Sequence, residues 1–94
     1  MKVQFLLKEY VKVKNKFVEL EEEWFVVEKE DSYIPKIGDR VDVNELNFFG
    51  KVSDISYNVD DDIVTVDVTA TYEFGQRTSY ISDYFEKGKH TIKL

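Results

Sequence analysis

Ile63-Val64-Thr65-Val66-Asp67-Val68-Thr69-Ala70-Thr71-Tyr72 is the stretch on which the fold turns. Val64, Val66, Val68, Ala70 and Tyr72 share one parity, and Thr65, Asp67, Thr69 and Thr71 share the other. That is the period-two pattern of a strand with one buried face. A turn at Asp60-Asp61 sets Tyr57 against Val64, Ile55 against Val66 and Ser53 against Val68. The partner strand then runs from about Phe48 to Asn58, and opposed Asp54 and Asp67 fall on the outer face.

The same period governs the N-terminus. Val3, Phe5, Leu7, Val11 and Val13 alternate with Lys8, Tyr10, Lys12 and Lys14. Phe17, Leu20, Trp24 and Val27 also fit helical spacing, so residues 17–28 read either way. A turn at Asn15-Lys16 resolves this in favour of a long β-hairpin over residues 2–29. It places Val13 opposite Val18, Val11 opposite Leu20, Leu7 opposite Trp24 and Phe5 opposite Val26. On the other face Lys12 meets Glu19, Tyr10 meets Glu21 and Lys8 meets Glu23, a favourable cross-strand ladder. Glu9 is the exception, because it faces Glu22 on the apolar side. Two carboxylates in a dry core are costly, so that stretch is solvated, shifted by a bulge, or a catalytic carboxylate pair.

Between the hairpins, residues 30–39 read as a loop punctuated by Pro35 and Gly38. A short strand follows at Arg40–Val43, then a turn through Asn47. After Phe74-Gly75 the period changes: Tyr80, Ile81, Tyr84 and Phe85 mark one face of a short helix near 79–87. Ser79 is its expected N-cap and Gly88 its C′ residue. Residues 89–94 suit a final strand. The expected fold is mainly β: one domain over 1–94, a small antiparallel barrel with a long N-terminal hairpin and one short C-terminal helix.

Composition fits such a domain. The 94 residues are 43% hydrophobic and 34% charged, with four Gly and one Pro, which leaves no linker. Without Cys there is neither disulfide nor thiolate chemistry. The apolar run at Val3–Leu7 is too short for a signal segment, and no window reaches transmembrane length, so a cytoplasmic, non-membrane protein is expected. Net charge is −6, which disfavours nucleic-acid and anionic-membrane partners. The charge is uneven: residues 1–18 sum to +4 and residues 19–31 to −6.

Four features invite a chemical reading. Asp60-Asp61-Asp62 resembles a cation cluster but lacks the alternating ligands of a calcium loop, and an acidic hairpin tip explains it as well. His90, the only histidine, has no nucleophile motif to assist. The lysines of residues 2–16, with Tyr10 and Phe17 as stacking rings, could form a nucleic-acid stripe, although the hairpin register gives Lys8 and Lys12 acidic partners. The rings remain. Seven Phe, six Tyr and one Trp are more than a small core hides easily. Tyr33, Phe48, Phe49, Phe74, Tyr80 and Tyr84 lie beside loops or the helix, where clustered exposed rings would mark a binding surface. No Gly-rich phosphate loop or metal-spaced cluster occurs, so no catalytic residue, metal or cofactor is assigned.

Ile34-Pro35-Lys36-Ile37-Gly38-Asp39-Arg40-Val41, followed by Phe49-Gly50-Lys51-Val52 and the strand Ile63–Val68, resembles SH3-like small β-barrel modules. There a Pro-x-x-Gly-Asp-x-Val segment precedes a Gly-x-Val strand and a hairpin. The resemblance spans about residues 34–68. It implies a small barrel of a kind used by peptide binders, nucleic-acid binders and phage or mobile-element assembly parts, which constrains function weakly. The N-terminal hairpin and the C-terminal helix depart from that pattern.

The expected function is a non-catalytic interaction or assembly module. It would bind a protein partner, a second copy of itself included, through loop and helix aromatics. The alternative is a nucleic-acid-binding small barrel that uses the Lys-rich N-terminal strand.

Overall fold

A computed structural model of the protein describes residues 1–19, 25–86 and 91–93. In chain order the strands are β1 (Lys2–Val13), β2 (Lys16–Glu19), β3 (Phe25–Glu30), β4 (Arg40–Val43), β5 (Phe48–Asn58), β6 (Ile63–Glu73) and β7 (Thr91–Lys93). A 3₁₀ turn (Asn44–Leu46) precedes β5, and one short helix, α1 (Ile81–Glu86), precedes β7. They form a single sheet in the order β4-β5-β6-β1-β3-β7, with β2 paired to the far part of β1.

Two features depart from the expected antiparallel barrel. The sheet is mixed, because β1 lies parallel to β6 over eleven residue pairs, from Lys2↔Ile63 to Lys12↔Glu73, and β3 lies parallel to β7. It is also open: among the described strands β4 and β7 end its main path, and β2 flanks β1 off that path. Hairpin turns identify antiparallel partners locally, whereas a parallel partner some sixty residues away shares only the face pattern.

The β5–β6 hairpin follows the alternation closely. Tyr57↔Val64, Ile55↔Val66 and Asp54↔Asp67 pair as expected, but Val52, not Ser53, stands opposite Val68. Ser53 is the extra residue of a β-bulge. The bulge is required because Phe48, Gly50 and Val52 face inward on even positions while Ile55 packs inward on an odd one. Gly50 has its own reason. A Cβ there would stand 2.8 Å from Val68 Cγ1 and 2.9 Å from both Phe48 Cε1 and the Thr69 carbonyl oxygen.

The N-terminal hairpin is shifted from its expected register. Its turn is Lys14-Asn15, both at positive φ (48° and 65°), as a two-residue turn matched to strand twist requires. Val11 therefore pairs with Val18, Lys12 with Phe17 and Tyr10 with Glu19, which removes the Lys12–Glu19 facing pair and the Val13–Val18 pair. Farther along, Leu7 pairs with Phe25 and Phe5 with Val27, one residue off the expected Trp24 and Val26. Two residues lie between Leu7 and Tyr10 on β1, while five lie between Glu19 and Phe25 on the return, so three extra residues enter between the two paired stretches. The expected positions of Leu20, Glu21, Glu22, Glu23 and Trp24, like those of Gly88 and His90, lie outside the described residues.

The core sits on one face of the sheet. Val3, Phe5 and Leu7 of β1 meet Val64, Val66 and Val68 of β6, flanked by Phe25, Val27, Phe48 and Val52. Leu46 of the 3₁₀ turn and Ile81 of α1 close over it, with Ile34 and Tyr84 packed at its margin. Tyr84 meets Phe25 edge-to-face at 5.7 Å. Each fully buried aliphatic or aromatic side chain contributes about 1.5–3 kcal/mol, so this layer supplies most of the driving force.

Candidate functional site

Glu9 continues the inward parity of Val3, Phe5 and Leu7, and its side chain is only 5% exposed. Its partners come from the segment between β6 and α1. Arg77 Nη2 donates to Glu9 Oε1 and Ser79 Oγ donates to Glu9 Oε2, each at 2.5 Å. Both carboxylate oxygens are thus occupied by charge-assisted bonds, the condition under which a buried charge is tolerated. Ser79 therefore serves Glu9 rather than capping the helix, which begins at Ile81 and takes its first turn from the Tyr80 carbonyl. Glu22, the other member of the expected carboxylate pair, lies outside the described residues; toward Arg77 and Ser79 the Glu9 carboxylate acts as an anchor.

The hydroxyl of Tyr72 is buried beside this group without a well-formed hydrogen bond. Burial first, and then the Glu9 carboxylate, pushes its pKa up to about 12, against partial opposition from Ser79 and Arg77.

Two further bonds fasten the same segment, and a third fastens α1 behind it. Asn47, in the left-handed region at φ 49°, donates its side-chain amide to the Thr78 carbonyl at 2.7 Å. The Tyr80 N–H donates to the Leu46 carbonyl at 2.6 Å. Tyr84 donates to Glu45 at 3.0 Å, which raises its hydroxyl pKa. At the start of the segment Gly75, at φ +79°, is the third residue of a turn closed by the Gln76 N–H on the Glu73 carbonyl. A type II turn needs positive φ there.

What this fastening presents is apolar. Phe74 is 79% exposed and Tyr80 is 51% exposed, at the two ends of the pinned segment. Of the other rings singled out by sequence, Tyr33 is 76% exposed, Phe49 is 39% exposed and Tyr84 is half-buried. Phe48 is a correction: it is fully buried and has no surface to offer a partner. It sits on the inward parity of β5, next to Phe49 on the outward one. The structure gathers Tyr33 and Phe49 elsewhere, on either side of Arg40. Arg40 stacks over the Phe49 ring at 5.5 Å and lines two shallow depressions. One, of about 620 Å³, also takes in Phe49, Lys51 and Thr69; the other, of about 390 Å³, takes in Phe5, Tyr33 and Pro35.

The remaining candidates are placed as follows. Asp62 accepts from Tyr57 at 2.8 Å and the Asp61 N–H donates to Asn58, so the acidic tip is internally bonded. Among the described residues no group of three or more His, Asp or Glu could hold a metal ion. Lys2 lies 3.8 Å from Glu28, and Lys8 lies 3.1 Å from Asp67, reached across the parallel β1–β6 pair. Among the described residues no helix is long and apolar enough to cross a membrane.

No family model, no curated protein and no solved structure matches this chain.

Sequence reasoning missed the Glu9–Arg77–Ser79 group. The signal was available on one side only: a glutamate breaking an apolar parity announces a buried partner. Nothing local to Arg77 or Ser79 says that they supply it.

Proposed function

We propose that the protein is a non-catalytic interaction module that binds a protein partner through exposed aromatic side chains, with Phe74 and Tyr80 at its centre. The observation that carries this reading is a pair of exposed rings at the ends of a segment that a buried ion pair holds in place. Loops are normally mobile, and ordering one on binding costs free energy. Here Glu9 bears that cost during folding, so the rings are presented already arranged. Aromatic anchors on a preorganised frame are the residues that dominate binding energy at protein interfaces. The resemblance of residues 34–68 to SH3-like modules supports the same reading, since peptide docking is among the uses of such modules.

The test is capture from a lysate of the native source with wild type and with F74S/Y80S. The reading expects one specific protein retained by wild type and lost by the double variant, with both baits equally folded. Retention unchanged by the double variant would refute it.

A second reading, nucleic-acid binding, is favoured by the tip of the N-terminal hairpin. Lys14 and Lys16 are exposed there beside Phe17, which is 60% exposed. Titration with single- and double-stranded DNA and RNA at low salt decides it, because the electrostatic contribution is largest under that condition.

A further inference from the structure

β4 is an edge strand whose free side has no partner among the described strands. Its sequence with the residue before it, Asp39-Arg40-Val41-Asp42-Val43, has a symmetry with consequences for pairing. Two copies of one strand can pair antiparallel about a two-fold axis only if that axis is perpendicular to the sheet. The axis then preserves faces, so only residues of like parity stand opposite each other. Centred on Val41, that register sets Val41 against Val41 of the second copy on the core side. On the outer face it sets Arg40 against Asp42 of the second copy, and this happens twice. Asp39 and Val43 meet at the ends of the ladder.

The side chains already hold the arrangement this needs. Arg40 Nε donates to Asp42 Oδ1 of its own strand at 2.7 Å, with side chains 67% and 38% exposed, so both lie along the outer face within reach of solvent. The Arg40 guanidinium is also steadied over Phe49. An exposed ion pair of this kind contributes little to its own fold, so exchanging it for two pairs across copies costs the monomer little. Exposed Tyr33 and Phe49, which share Arg40 as a neighbour on the two faces, supply apolar surface beside the seam.

The other described edges lack this complementarity. For β2, Lys16-Phe17-Val18-Glu19, a two-fold centred on Phe17 opposes Lys16 to Val18, and one centred on Val18 opposes Phe17 to Glu19. For β7, the register centred on Ile92 opposes Thr91 to Lys93. Neither pairs opposite charges.

We infer that the protein forms a two-fold dimer by antiparallel β4–β4 pairing, with reciprocal Arg40–Asp42 ion pairs between copies. The inference rests on reading the chain as an interaction module and names a second copy as one occupant, at a surface separate from Phe74 and Tyr80.

Charge reversal tests it. Light scattering across a concentration series is expected to show wild type passing from monomer to dimer. R40D and D42R each place like charges opposite each other twice, and each is expected to weaken the dimer roughly tenfold or more. An equimolar mixture of R40D with D42R restores complementary facing and is expected to regain the dimer as a heterodimer. Hydrogen exchange on wild type gives a readout without substitution: amides of residues 40–43 are expected to gain protection as concentration rises. Wild type that stays monomeric throughout, a dimer unmoved by either reversal, or a mixture that fails to recover it would overturn the inference. Each of those results leaves the Phe74/Tyr80 capture experiment to stand or fall separately.

Discussion

Lys8 and Glu9 are neighbours on β1, point to opposite faces of the sheet, and each has an oppositely charged partner far away in sequence. Lys8 meets Asp67 on the outer face, with side chains 16% and 19% exposed. Glu9 meets Arg77 and Ser79 on the core side, where its own side chain is nearly inaccessible. The difference lies in what solvent does when a partner is lost. On the outer face both partners keep some contact with water, so an abandoned charge is partly rehydrated. On the inner face the carboxylate stays buried, and its desolvation is no longer offset. The same kind of contact is thus more readily replaced by water on one face and a fastening on the other.

Removing the inner cation should give the largest effect. R77M leaves Glu9 buried without its ion pair and is expected to cost about 3 kcal/mol in urea unfolding. The double variant E9L/R77M is expected to cost less than R77M alone, because the penalty belongs to the orphaned charge. A double variant worse than the single would show that the pair itself supplies net stability.

S79A keeps the ion pair and removes one hydrogen bond to a charged acceptor, at an expected cost of about 1.5 kcal/mol. It should also speed hydrogen exchange in α1, whose start the bond fixes. On the outer face K8M is expected to cost less than R77M, about 1 kcal/mol, because Asp67 keeps part of its hydration. A double-mutant cycle with D67N should return a coupling that shrinks as salt is added, because this pair is partly solvated. A Lys8–Asp67 coupling equal to that of Glu9 and Arg77 would dissolve the contrast between the faces.

The smallest effect near neutrality is that of Tyr72. Its hydroxyl pKa is raised in the folded state to about 12, so the stabilising contribution of the neutral form is intact below the ordinary tyrosine pKa of about 10. That contribution is lost as pH rises from about 10 toward 12, since the unfolded chain ionises first. Wild type should therefore lose stability across that window faster than Y72F, while below it the difference between them does not change with pH.

The legible part of the fold was local. Strand bounds for β4 and β5, and the pairing of Tyr57 with Val64, followed from alternation and one acidic turn, because a short loop leaves few registers to choose from. The errors were local as well. The N-terminal turn lies one residue earlier than Asn15-Lys16 because the turn needs two residues at positive φ, and Asn15 takes the second place. The bulge at Ser53 could have been read from the switch of inward parity between Val52 and Ile55. Of the six rings singled out, parity alone separates buried Phe48 from exposed Phe49. The exposure of Phe74 follows from its place in a turn.

By itself, then, the sequence determined a β-rich chain with two hairpins, a late helix and an odd glutamate on an apolar face, because alternation and turn chemistry act over a few residues. Only the tertiary structure decided that β1 lies parallel to β6, that the sheet stays open at β4 and β7, and that Glu9 is satisfied by Arg77 and Ser79. Those outcomes depend on which segments, some sixty or seventy residues apart, bury their faces together. Face burial rewards any partner of the right pattern, so periodicity limits the candidates and packing selects among them.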